Sequence, residues 1–145
     1  MSATPDPLDR PEFYADIPTK RFFAWLVDVA FTAVVSLLIV ALTALSALAV
    51  WPLLWLAVGF VYRTVTLANG SATWGMRLFA MEIRTARDTP LDLPTAFLHT
   101  LGYTISVALP LFQLASVVMM CTSPRRQGLT DLVLGTVPMN RRKIR

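Results

Sequence analysis

Apolar and polar positions in this chain are segregated into blocks. Residues 22–62 are apolar or small almost throughout, and Asp28 is their single charge. Residues 93–124 contain no Asp, Glu, Lys or Arg. About 20 apolar residues suffice to cross a bilayer as helix. The first block is therefore long enough for two spans, the second for one. The predicted spans are about 22–43, 50–68 and 95–121. Between the first two, residues 41–50 are all small or apolar, and Thr43, Ser46 and Pro52 are the best turn signals. So short a connection implies an antiparallel helical hairpin.

Outside the blocks the period changes. Phe79, Met81 and Ile83 alternate with Ala80, Glu82 and Arg84, a two-residue repeat that predicts a strand over 79–84. Val133, Gly135, Val137 and Met139 alternate with Leu134, Thr136 and Pro138. That pattern predicts a second strand over 133–139, with Pro138 confining it to an edge, and the two strands are expected to pair. Asp16 before Pro18, and Asp92 before Pro94, read as helix starts. The stretch Arg87-Asp88-Thr89-Pro90 reads as a turn. Residues 1–18, with four prolines and four acids, are expected to be a disordered or loosely docked tail. Residues 19–140 form a membrane domain, and residues 141–145 a polybasic tail. The fold class is mainly α-helical transmembrane: a two-helix hairpin, a third apolar segment and a small cytoplasmic β element.

Composition agrees. The chain is 55% hydrophobic and 15% charged, against about 25% charged in soluble domains. Net charge is +4, but the basic residues flank apolar blocks and form no basic-aromatic stripe, which argues against a nucleic-acid partner. The expected partners are the lipid bilayer and its anionic lipids, which would attract Arg141, Arg142, Lys143 and Arg145. Cys121 is the sole cysteine, so no internal disulfide or cysteine metal framework is expected. There is no phosphate-cradling glycine loop and no nucleophile beside a base. No enzyme activity, cofactor or metal is expected.

Charge also orients the chain. Lys20 and Arg21 precede the first span, and Arg77, Arg84 and Arg87 follow the second. Positive charge marks the cytoplasmic side, which places the N-terminus and central loop inside. A third block that crossed once would carry Arg125, Arg126 and the basic tail outside. A block that breaks near Pro110 and returns keeps them inside. The charge rule leans toward the second arrangement and leaves the first open.

Asp28 is the residue that most needs a reason. A carboxylate within a span costs roughly 2.5–3.5 kcal/mol on insertion scales. Arg21, seven residues earlier, shares its helix face. Arg63 faces it across the hairpin and is the expected ion-pair partner, setting the register. Asp131 is expected either at the cytoplasmic surface or folded back on Arg21 or Arg77. If it approached Asp28, the two acids could share a proton or hold a cation. His99, the only histidine, reads as an interfacial polar residue. Tyr103, Thr104, Ser106 and Gln113 read as helix contacts or as cover for broken backbone.

Three stretches carry a resemblance. They are Arg21-Phe22-Phe23-Ala24-Trp25-Leu26-Val27-Asp28, then Thr73-Trp74-Gly75-Met76-Arg77-Leu78 with Met81-Glu82-Ile83, and Arg125 through Leu132 with Gly135-Thr136-Val137. In order and spacing these resemble the RDD family of small bacterial membrane proteins. Trp74 stands where that family commonly has proline, Met76 where it has lysine, and Thr130 where histidine is common. The resemblance implies a bacterial inner-membrane protein with Arg21, Asp28 and Asp131 as its signature residues, and Thr73, Gly75 and Arg77 as its cytoplasmic loop motif. Some members have been proposed to exchange monovalent cations for protons. Two functions are thus expected: a structural or lipid- and partner-associated membrane module or, alternatively, a cation/proton antiporter working as a homo-oligomer.

Overall fold

A computed structural model describes residues 3–142. Helix α1 runs over Ile17–Leu42, with Pro18 in its first turn. A 3-10 turn, Ser46–Val50, leads into α2, Trp51–Ala68, where Pro52 occupies the first turn. Thr43 and Ser46 close the turn by hydrogen bonds to the carbonyls of Ile39 and Thr43. A short helix α3, Trp74–Leu78, precedes strand β1, Met81–Thr85. Asp92 caps α4, Leu93–Ala108, by accepting from the Thr95 N–H at 3.0 Å. Asp16 holds the corresponding position at α1 but makes no side-chain cap.

The third apolar block is not one helix. It is α4 followed by α5, Pro110–Thr122, bent by 115° at Leu109. Pro110 has no N–H and forces the preceding residue into extended backbone, and Leu109 has φ −115° and ψ 98°. Ser106 and Gln113 hydrogen-bond across the break at 3.1 Å. At ~1.5 Å per residue neither half reaches the ~30 Å of a bilayer core. By length and composition α1 and α2 are candidate spans, and α4 with α5 is a third only if the bent pair counts as one.

Helix α6, Leu129–Leu134, and strand β2, Thr136–Asn140, complete the fold. This corrects the expected second strand: Val133 and Leu134 are helical, and the strand starts only after Gly135, whose φ of +65° ends the helix. The first strand also starts later than expected, because Phe79 caps α3 and Ala80 adopts a positive φ. The strands do pair, antiparallel, from Met81 opposite Asn140 to Thr85 opposite Thr136. In a two-stranded sheet both strands are edges, so Pro138 fits.

The N-terminal tail, expected to be disordered or loosely docked, is docked. Tyr14 is buried with Val137 and Met139, and its hydroxyl donates to the Pro5 carbonyl at 2.7 Å. Asn140 donates to the carbonyls of Glu12 and Ala15, and Lys20 donates to Asn140. The main core lies beside this sheet, built from Ile17, Ala24, Leu67, Met76, Met81 and Ile83 among others. Along the spans the pattern inverts: Leu37, Leu38, Leu53, Leu56, Leu111 and Leu114 are exposed, as lipid-facing residues are, while Asp28, Thr32, Ser36, Arg63 and Thr64 are buried.

Candidate functional site: two buried carboxylates on one side of the fold

Helix α1 buries Ala24, Asp28, Thr32, Ser36 and Val40, a residue every fourth position. Small and hydroxyl side chains on such a stripe let neighbouring backbone approach closely. At Gly75 the approach is so tight that an added Cβ would lie 2.1 Å from the Ala24 carbonyl oxygen and 2.8 Å from Asp28 Oδ1. Only glycine fits, and the N-terminus of α3 therefore rests directly on α1.

Asp28 meets that N-terminus. Its Oδ1 accepts from the Gly75 N–H at 2.9 Å and from the Tyr62 hydroxyl at 2.7 Å. Its Oδ2 accepts from the Thr73 hydroxyl at 2.6 Å. Tyr62 and Thr73 are relays: the Tyr62 oxygen accepts from the Trp74 N–H at 3.1 Å, and the Thr73 oxygen accepts from the Met76 N–H at 3.2 Å. The first three N–H groups of α3, orphans in any helix, are thus all satisfied through one carboxylate. The positive end of the short helix favours the charge as well. Hydrogen bonds to an ionised group contribute about 1.5–3 kcal/mol each, so three offset a membrane insertion cost of roughly 2.5–3.5 kcal/mol.

The expected ion pair with Arg63 does not form. Among the described residues Arg63 makes no salt bridge within 4.0 Å, and its guanidinium instead lies over the Tyr103 ring, 4.1 Å from the centroid. The Tyr103 hydroxyl is held by the Trp25 indole N–H at 2.8 Å. Opposite charge across the hairpin suggested a pair; neutral hydroxyls and a backbone N–H occupy Asp28 first.

Asp131 forms a second cluster. Its Oδ2 accepts from Arg21 Nη1 at 2.6 Å and from the Gly128 N–H at 3.0 Å. Its Oδ1 accepts from His99 Nε2 and the Thr136 hydroxyl, each at 2.9 Å. An ionised carboxylate only accepts, so the His99 proton sits on Nε2, and buried Nδ1 has no hydrogen-bond partner among the described residues. Burial pushes the Asp131 pKa up, but the Arg21 charge, the His99 hydrogen bond and the Gly128 N–H outweigh it. The net effect holds the carboxyl well below the usual range. Of the two expected partners Arg21 is engaged and Arg77 is not; Arg77 donates to the carbonyls of Ala72 and Thr66. His99, expected as an interfacial polar residue, is buried within the protein and bonded to Asp131. Its role was missed because a lone histidine among apolar residues gives no sign of which face it presents.

Helix α1 thus carries two fasteners: Arg21 grips α6, and Asp28 grips α3. No hydrogen bond or salt bridge joins the two carboxylates among the described residues. Two clefts adjoin them, of about 320 and 530 Å³, and share Trp25, Asp28, Arg63, Tyr103 and Val107. In the basic tail, Arg142 pairs with Asp88 and stacks near Phe13, and Arg141 lies 3.8 Å from Glu82. Lys143 and Arg145 lie outside the described residues.

No curated protein and no solved structure matches the chain. A family model does, over residues 16–135, which takes in helices α1 to α6 and both Asp28 and Asp131, with all of their donors except Thr136. The chain belongs to the RDD family.

Proposed function

We propose that this membrane protein is a structural, lipid-associated module and not an ion exchanger. The observation that carries the reading is that both buried carboxylates are engaged by the protein's own donors. Asp28 accepts three hydrogen bonds and Asp131 four. An exchanger needs a carboxylate that alternately releases a proton and takes a cation; here each acid fastens one polar segment to α1. No catalytic step belongs to this reading.

In this account the protein lies in the bacterial inner membrane with its N-terminus, central loop and C-terminus in the cytoplasm. Two features support that arrangement. The strand pairing and the docked tail bring all three segments to one end of the fold. The basic residues Lys20, Arg77, Arg84 and Arg125 flank the apolar blocks at their entries and exits. Anionic headgroups are the natural partners of such a face.

The test is flux in proteoliposomes with a pH-sensitive dye and an imposed sodium or potassium gradient. Proton movement should not exceed that of protein-free vesicles. Exchange that Asp28→Asn abolishes, with melting temperature and oligomer size unchanged, would overturn the reading in favour of a homo-oligomeric antiporter.

A further inference from the structure

Arg63 is the group that the fasteners leave unused. It is 7% exposed, yet its guanidinium makes no hydrogen bond and no salt bridge among the described residues. It lies over the face of Tyr103. Stacking on a ring leaves the donor edges of a guanidinium free, and Arg is the side chain whose fork fits a phosphate or carboxylate. Arg63 lies five residues from the end of α2 at Ala68, or ~8 Å along the helix. A buried charge at that depth needs an anion or water beside it.

The chain's own acids do not supply one. Asp28 borders the same clefts, but its oxygens are taken by Tyr62, Thr73 and Gly75. Asp131 is taken by Arg21 and His99. The two clefts that meet at Arg63 are otherwise lined mainly by apolar side chains, Leu56, Phe60 and Val107 in the smaller and Val107 and Val117 in the larger. Leu56, Val107 and Val117 are themselves partly exposed on the lipid-facing surface. Two cations line the larger cleft, Arg21 and Arg63. Arg21 is paired with Asp131, and an Arg63 unpaired among the described residues, beside apolar walls open to lipid, matches an amphiphile with an anionic head.

We infer that the cleft between α1, α2, α4 and α5 is a binding site for a phospholipid, with its phosphate on Arg63 and an acyl chain along Val107. The site rests on the reading of the chain as a lipid-associated module and names the lipid chemistry that reading requires. Tyr103 and Trp25 hold the guanidinium in place. The bent third block makes the cleft, because α5 turns away from α4 at Leu109.

Native mass spectrometry of the purified full chain tests this, with three probes: phosphatidylglycerol, diacylglycerol and inorganic phosphate. The wild type should retain one phosphatidylglycerol and neither of the others. Arg63→Gln should weaken retention by about tenfold or more, the loss of one or more charge-assisted bonds. Val107→Trp, which fills the apolar part and leaves every charge in place, should weaken it too, and serves if Arg63→Gln unfolds. Arg87→Gln, a loop residue outside the cleft, should change nothing. The inference is overturned if folded Arg63→Gln and Val107→Trp retain phosphatidylglycerol like the wild type. Equal retention of diacylglycerol would overturn it as a mere apolar groove, and equal retention of phosphate as a free-anion site. Any of these results would leave the absence of ion exchange, and so the wider reading, standing.

Discussion

At the scale of the residue, one carboxylate organises a helix it does not belong to. Asp28→Asn keeps the shape but removes the charge on which Gly75, Thr73 and Tyr62 converge. It should cost about 1.5–3 kcal/mol, read as a lower melting temperature in detergent, with faster amide exchange at Trp74, Gly75 and Met76. Gly75→Ala should be at least as damaging, because the Cβ meets the backbone of Ala24 and no side chain can yield; overpacking typically costs 1–3 kcal/mol. Asp131 gives a pH signature. Its folded pKa lies below its unfolded value of about 3.9. The stability it contributes is therefore complete above that value and is lost as pH falls toward the folded pKa. Thermal melts between pH 3 and 7 should show the α6 fastening retained to about pH 4, with Asp131→Asn removing this part of the acid dependence. Asp28 was legible in the sequence because it is the single charge in its block. Arg21 was one of two partners offered for Asp131, and nothing in the sequence separated it from Arg77. Asp28's true partners were not legible, because Tyr62 and Thr73 are ordinary hydroxyls until the chain folds them onto it. Arg63 was singled out for its charge, but charge complementarity said nothing of the neutral donors that would reach Asp28 first.

At the scale of the element, hydropathy located α1, α2 and the apolar block of α4 and α5, and an aspartate with a following proline located the starts of α1 and α4; the short helices α3 and α6 were not foreseen. The break at Pro110 was legible for the same reason, since a proline cannot continue the hydrogen-bond ladder. What misled was the two-residue period. Over 79–84 it marked a strand that starts two residues later; over 133–139 it ran across a helix end. Residues 129–134 are helical because the Asp131 carboxylate accepts from the Gly128 N–H at the start of α6 and Gly135 turns left-handed at its end. Alternation over 133–139 cannot see either. Gly135→Ala should therefore cost roughly 1 kcal/mol, while Gly135→Asn should cost less, because Asn tolerates that conformation. Chemical denaturation of the two variants side by side checks the difference.

At the scale of the whole molecule, the polar segments make one platform and the apolar segments one lipid-facing sleeve. The docked tail, the strand pair and α6 are held by contacts that each join distant parts of the chain: Tyr14 against Val137, Met81 opposite Asn140, Arg21 on Asp131. In the proposed topology such contacts require the third block to turn back. If it crossed the membrane, Asp131 would lie on the opposite side from Arg21, and neither the sheet nor the second fastener would exist. The direct test is side-specific labelling of single cysteines in a Cys121→Ser background, with Asp9→Cys, Arg87→Cys and Arg125→Cys each probed in sealed vesicles of both orientations. All three positions should label from the same face, the cytoplasmic one. Labelling of position 125 from the face opposite to position 87 would contradict the account.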